Sequence, residues 1–285
     1  METITQLAAL RARLDTWHRA GEPVALVPTM GNLHRGHLSL VALARQHARR
    51  TVVTVFVNPT QFGPNEDFDA YPRTPAPDAG LLAATGADLL FMPAVDEVYP
   101  AGTAGATRVE VPGLSTILCG AHRPGHFAGV TSVVARLFHM TSPDVAIFGE
   151  KDFQQLAVIR RMVADLHFRV RIIGAPTVRE PDGLALSSRN QYLTAAERSV
   201  APQLQATLAA CAADLKAGRR DFAVLEAEGM ARLAAAGFRP DYVAIRSIGG
   251  LVEPSAGEAG LVVLAAAALG RARLIDNVLL PDLVA

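Results

Sequence analysis

Cysteine is nearly missing from this chain, with only Cys119 and Cys211 among 285 residues. Two thiols build neither a disulfide framework nor a four-ligand zinc site, and no C-x-x-C pair occurs, so a reduced, cytoplasmic setting is expected. An excess of charge of either sign is also missing. Twenty-seven Lys and Arg balance twenty-seven Asp and Glu, so no overall field draws the chain to nucleic acid or anionic lipid, and an anionic ligand must be met by local groups. Long apolar runs are lacking too. The longest, Leu261 to Leu269, is closed by Gly270 and is too short to span a membrane as a helix. The first twenty residues mix both charges with apolar residues at helical spacing and have no signal-peptide core. There is no G-x-S-x-G elbow, Walker A loop or strict G-x-G-x-x-G. These absences point to a soluble protein with no membrane and no nucleic-acid partner.

What is present is a chain that is 50% hydrophobic and 19% charged, enough to bury a sizeable core. Beta-rich runs at Val24–Thr29, Thr51–Asn58, Ala87–Pro93, Asp144–Gly149 and Arg169–Pro176 alternate with helical patterns over 36–48, 78–85, 127–141 and 153–166. Alternation of this kind predicts an α/β fold, a parallel sheet with crossover helices, and near-continuous apolar strands predict a sheet covered on both faces. After Pro176 a turn-rich stretch leads into two Ala-rich helices and three short strands. The expected boundaries are therefore 1–177 for the first domain and 178–285 for a smaller α+β one.

Five segments carry chemistry, each at or just beyond a strand end. Thr29 to His37 reads T-M-G-N-L-H-R-G-H, with His34 and His37 three apart over a helix start whose free N–H groups suit phosphate; the alternative is a helix-start turn with two surface histidines. Asn58 and Gln61 offer neutral donors and acceptors to a polar substrate, or form an ordinary Asn-Pro turn. Shortly after this second segment, Asp78 either reaches a metal or begins a helix. Arg123 and His126 sit in a glycine-bearing loop that feeds a helix; they meet an anion, or are a surface charge and a capping or core histidine. Lys151 in F-G-E-K-D-F-Q-Q is a point charge for phosphate, while Asp152 and Gln155 also fit a helix cap. Ser187, Ser188 and Arg189 close over a triphosphate or form a polar loop. Together these segments supply cations and donors but no nucleophile, which suits a reaction in which the substrates attack each other.

The stretches TMGNLHRGH (29–37), FVNPTQF (56–62), YPRT (71–74), RPGHFAGV (123–130), FGEKDFQQL (148–156) and VREPDGLALSSRNQYL (178–193), in this order, resemble the pantothenate synthetase family, the pantoate–beta-alanine ligases of the nucleotidylyltransferase superfamily. The resemblance implies a Rossmann-like first domain that binds ATP and pantoate, and a smaller C-terminal α+β lid domain. It implies that ATP is held by Met30, Gly31, Asn32, Leu33, His34, Arg35, Gly36 and His37, by Gly149, Glu150, Lys151 and Asp152, by Val178, and by Leu186, Ser187, Ser188 and Arg189. Gln61 and Gln155 would bind pantoate, Asn58 and Gln61 would lie near beta-alanine, and Arg123 joins the substrate contacts. His37 is the implied proton donor, with His34, Lys151 and Arg189 as further catalytic groups. Asp78 is the expected acid for Mg2+, and a cytoplasmic homodimer is implied. Cys119 stands where some members carry Glu.

The implied reaction fits the residue types. Pantoate is ionised at neutral pH, so adenylation needs no base; its difficulty is anion approaching anion, which cations and Mg2+ offset. Attack on ATP gives pantoyl adenylate and pyrophosphate, and the beta-alanine amine then displaces AMP to give pantothenate. Two other readings compete: an adenylyltransferase that keeps AMP in its product, and a nucleotide-binding module without turnover.

Overall fold

Val24 to Val27 have no solvent exposure, as expected of a strand covered on both faces. They form the middle of a parallel sheet. The computed structural model describes residues 1–281 except 65, 67 and 256. Its strands and helices run in the order β1 (Glu2–Ile4), α1 (Leu7–Arg19), β2 (Val24–Thr29), α2 (Arg35–His47), β3 (Arg50–Val55), α3 (Pro75–Thr85), β4 (Leu89–Phe91), α4 (Val95–Val98), α5 (Cys119–His122), α6 (His126–Thr141), β5 (Val145–Gly149), α7 (Phe153–Asp165), β6 (Arg171–Ala175), α8 (Ala195–Val200), α9 (Gln203–Lys216), α10 (Phe222–Ala235), β7 (Arg239–Ser247), β8 (Leu261–Leu269) and β9 (Ala272–Leu280). The described chain divides into two compact units, Met1–Glu150 with Val158–Pro176, and Lys151–Ala157 with Thr177–Ala285. The turn-rich stretch after Pro176 falls in the second unit, with which Lys151–Ala157 also group.

In the first unit all six strands pair in parallel in the order β1-β4-β3-β2-β5-β6. The expected Rossmann-like architecture is present. From β2 the chain adds β3 and β4 on one side, then returns to add β5 and β6 on the other, so strand order reverses between β2 and β5. A crevice opens at the carboxyl ends of two strands that diverge in this way. Ala25 and Val27 pack with Leu40, Val41 and Ala44 of α2, the i, i+1, i+4 stripe of an amphipathic helix. Helix α6, buried along most of its length, contacts β2 and the turn at Pro59–Gln61. The edge strand β1 is not expected from the sequence: three residues are too few for a period-2 signal, and Thr3 and Ile4 read as part of the N-terminal helix until β4 is there to pair with them.

The second unit is an antiparallel sheet β7-β8-β9 against α9 and α10, the smaller α+β element expected. Leu204, Leu208 and Leu215 of α9 and Leu225 and Leu233 of α10 meet Ile245, Val263 and Ala265 in its core. The Ala-rich run of β8 is a strand buried at every position but Ala268. Gly229 of α10 sits where a Cβ would be 2.9 Å from Val243. Three helices stand where two are expected, since Pro202 separates α8 from α9 and cannot donate a helical N–H. Thr194 and Glu197 form the expected capping box. Among the described residues no helix is long and apolar enough to cross a membrane.

Candidate active site

The chain that leaves the carboxyl end of β2 leads directly into α2. Gly31 (φ +85°) and Asn32 (φ +51°) take left-handed conformations, which turn the backbone into α2 with His34 as N-cap. The Nδ1 atom of His34 accepts from the Gly36 N–H at 3.2 Å, and Nδ1 of His37 accepts from the His34 N–H at 3.3 Å. The two rings lie 4.1 Å apart. A reciprocal cap made of two histidines has a chemical consequence. In the neutral ring the nitrogen that accepts is unprotonated, so the proton of each sits on Nε2. Both imidazoles therefore keep a donor on the side away from the helix backbone, at a helix N-terminus that favours anions.

Asp78, in the first turn of α3, holds this loop. It is 1% exposed; Oδ1 accepts from the Leu33 N–H at 2.8 Å, and Oδ2 accepts from the Asn32 N–H at 2.9 Å and from the Thr74 hydroxyl at 3.1 Å. A side chain on Gly31 would press within 3.0 Å of Asp78 and Val55. Among the described residues no three His, Cys, Asp or Glu side chains gather to hold a metal, and both Asp78 oxygens face donors. This donor set does not fit a magnesium ion held by protein ligands; Asp78 fits a loop clamp. Asp78→Asn is expected to destabilise the protein by about 2 kcal/mol, because an amide NH2 must face a backbone N–H. Urea denaturation checks this, and unchanged stability would refute the clamp.

Gln61 and Asn58 are joined rather than separately displayed. Asn58 is 1% exposed and its amide donates to Gln61 Oε1 at 3.1 Å and to the Gly129 carbonyl at 3.2 Å. Its own oxygen accepts from the Tyr99 hydroxyl at 2.8 Å and from Thr60 Oγ1 at 3.0 Å. With its amide committed in this way, Asn58 orients Gln61, whose Nε2 lies 3.1 Å from Met30 Sδ. Arg123, expected as a substrate contact, donates to both Glu66 oxygens and approaches His126 Nε2 at 3.0 Å; His126 Nδ1 lies 2.8 Å from the Gln61 carbonyl. A guanidinium only donates and a carbonyl only accepts, so His126 is neutral here with its proton on Nδ1. Burial pushes the Glu66 carboxyl up, but the Arg123 ion pair outweighs it and holds the group below the usual carboxylate range. The pair therefore stabilises the fold above the unfolded value and loses that contribution as pH falls through the depressed one. Burial raises the Tyr99 phenol, with the Thr60 hydrogen bond and Arg136 partly opposing.

Gly149 and Glu150 leave β5 in the first unit, whereas Lys151, Asp152 and Gln155 belong to the second. There Val178 and Leu186 are brought together by the turn at Pro181–Gly183: the Leu186 N–H donates to the Val178 carbonyl at 3.0 Å and the Glu180 N–H to that of Leu184 at 2.8 Å. Ser187 caps the 3-10 turn Ser188–Tyr192 by accepting from the Arg189 N–H at 3.2 Å. Lys151 and Ser187 line the same small cavity, of about 10 Å3, with Asn190 and Asp276.

Residues 2–279 match the family model described as pantoate-beta-alanine ligase. The chain belongs to the pantoate–beta-alanine ligase family. The pantothenate synthetase of Thioalkalivibrio sulfidiphilus is 60% identical over 97% of either chain. The crystal structure of pantothenate synthetase from Thermus thermophilus is 50% identical, with TM-score 0.91 over 98% of this chain and 99% of that one. That of a pantoate-beta-alanine ligase from Francisella tularensis, complexed with beta-gamma ATP and beta-alanine, is 32% identical, with TM-score 0.82 over 98% of this chain and 97% of that one. The ligase activity expected from the motifs follows from this membership. What the motifs do not reveal is the supporting set: Glu66, Tyr99, Asp276 and Asn277. One signal is present, because Asp276-Asn277 interrupts the apolar strand R-L-I-D-N-V-L-L, and a polar pair inside a strand is buried with partners or not at all.

Proposed function

We propose that this ligase condenses D-pantoate with beta-alanine using ATP, through an enzyme-bound pantoyl adenylate, with release of pyrophosphate and then AMP. The observation that carries the reading is the histidine-capped start of α2 at the carboxyl end of β2, beside the reversal of strand order. The relative complexed with beta-gamma ATP and beta-alanine supports the choice of nucleotide and amine.

In the first step a pantoate carboxylate oxygen attacks the α-phosphorus of ATP and the bond to pyrophosphate breaks. Here the α2 N-terminus, the Nε2–H groups of His34 and His37, Lys151 and Arg189 disperse the charge of two anions meeting. Their partners in the nucleotide contact are Met30 to His37, Gly149 to Asp152, Val178 and Leu186 to Arg189. Gln61, aligned by Asn58, and Gln155 take the hydroxyl and carboxylate of pantoate. In the second step the neutral amine of beta-alanine attacks the acyl carbon of the mixed anhydride, the C–O bond to AMP breaks, and the proton the amine loses replaces the one His37 gives to the departing phosphate oxygen. The proton on His37 Nε2 suits it to assist the departing phosphate oxygen. Mg2+ bound together with ATP would offset the charge of its phosphates. By its family resemblance, the chain acts as a cytoplasmic homodimer whose residues 178–285 serve as a lid.

The test is ATP–pyrophosphate exchange in the presence of D-pantoate, with and without beta-alanine. Exchange that requires pantoate, with AMP and pantothenate appearing once beta-alanine is added, is the expected result. AMP retained in a product overturns the ligase mechanism in favour of adenylyl transfer.

A further inference from the structure

A buried polar network in the second unit ties together two segments assigned above to ATP. Asp276 is 3% exposed and Asn277 5%, although both lie in strand β9 between the apolar Leu274–Ile275 and Val278–Leu280. The Arg179 guanidinium donates to both Asp276 oxygens, at 2.6 and 3.0 Å, and also to the carbonyl of Gly183 at 3.1 Å. Asp276 Oδ1 accepts from the Asn277 N–H at 2.8 Å, and the Asn277 amide donates to the carbonyl of Lys151 at 3.0 Å. One arm of the network therefore grips the hairpin over 179–185 that leads into Ser187 and Arg189, and the other grips the backbone of Lys151. Asp276 also borders the cavity shared by Lys151 and Ser187.

We infer that Arg179, Asp276 and Asn277 are positioning residues that hold Lys151 and the Ser187–Arg189 segment in register with one another. The energetics favour such a role over simple stability. A bidentate pair whose carboxylate is buried at a strand centre is often no more stabilising than apolar residues of the same volume, whereas losing the part-exposed guanidinium leaves that buried charge unpaired. What the pair supplies is geometry, since a planar fork admits a single arrangement. Asn277 then acts at one remove: it touches the backbone that bears the ammonium and not the proposed ATP site itself, in the way that outer groups orient the ligands of a metal.

This inference rests on the reading of Lys151 as a phosphate-facing cation, and the experiment separates the two. Asn277→Ala, Lys151→Ala and the double variant are compared by pantoate-dependent ATP–pyrophosphate exchange, and amide hydrogen exchange of the 150–153 segment is followed in the full chain. Asn277→Ala is expected to slow the reaction about tenfold with the KM for pantoate unchanged, and to speed amide exchange of that segment. In the Lys151→Ala background the same substitution should change the rate by less than about twofold, because its effect runs through Lys151. A tenfold loss in that background, or unchanged amide exchange in Asn277→Ala, overturns the inference. If Lys151→Ala alone keeps the parent rate, the reading of Lys151 fails, and faster amide exchange in Asn277→Ala still upholds the positioning contact. Asp276→Asn keeps the side-chain shape while weakening the grip on Arg179. It carries the same comparison, with a smaller loss expected, if Asn277→Ala does not fold.

Discussion

Lys151→Ala is expected to slow pantoate-dependent ATP–pyrophosphate exchange by about 100-fold, the effect of about 3 kcal/mol lost from one preorganised charge contact. The size follows from the chemistry of the proposed first step. The attacking carboxylate and the polyphosphate repel, and charge builds on the departing pyrophosphate, so a cation fixed in place acts where it is most needed. Lys151 follows β5 by two residues, in a 3-10 turn whose backbone is held at the Lys151 carbonyl by Asn277. Its ammonium is a compact point charge on a flexible stem, and an Arg in its place differs in both reach and planarity. Lys151→Arg is therefore expected to restore less than about a tenth of the parent rate. Exchange in Lys151→Ala within a few-fold of the parent would remove this residue from the mechanism.

Gly129→Ala is expected to destabilise the protein strongly. A Cβ at this position in α6 would stand 2.2 Å from the Thr60 carbonyl oxygen and 2.6 Å from Gln61 Cα. Both are backbone atoms, so no side-chain rotation relieves the overlap. The helix must move away from the turn at Pro59–Gln61, and the Asn58 bond to the Gly129 carbonyl goes with it. A loss of about 3 kcal/mol or more is expected from this overpacking. Because the same turn carries Gln61, the KM for pantoate should rise as well. Gly80 of α3 provides the control: nothing lies within 4 Å of a Cβ there, so Gly80→Ala should stabilise the protein by about 0.8 kcal/mol through helix propensity. Urea denaturation of both variants makes the measurement, and a Gly129→Ala protein as stable as the parent would show that the helix and turn have room to separate.

Much of the first unit is legible in the sequence because its strands are buried on both faces. The apolar run Val24–Thr29 has the boundaries of β2 itself, and Asp144–Gly149 matches β5 to within one residue, since a continuous apolar run of this length between turn residues suits a buried strand better than a helix. In the second unit the run Leu261–Leu269 reads as a strand, as it is, even though alanine favours helix. Edge strand β1 escapes such reading because its only reason to be extended is the neighbour it pairs with, some eighty-five residues later in the chain. At the candidate site the residue types and their places at strand ends are legible. Which groups touch substrate and which hold other groups are not.

That distinction is where local sequence and tertiary structure part. Apolar periodicity, turn residues and six long motifs in register are local properties, and they suffice to determine the α/β class, the alternation of elements and membership of the pantoate–beta-alanine ligase family. Asp78 as a clamp on the Gly31–Leu33 backbone, Asn58 as the support of Gln61, and Asn277 as the hold on Lys151 join residues that are 45, 3 and 126 positions apart respectively. Only the Asn58–Gln61 pair is close enough to be suspected from spacing, and its buried partners Tyr99 and Gly129 are not. A hydrogen bond depends on distances of a few tenths of an ångström and on the direction of a lone pair, and for groups brought together by a sheet those are set only once the sheet is formed.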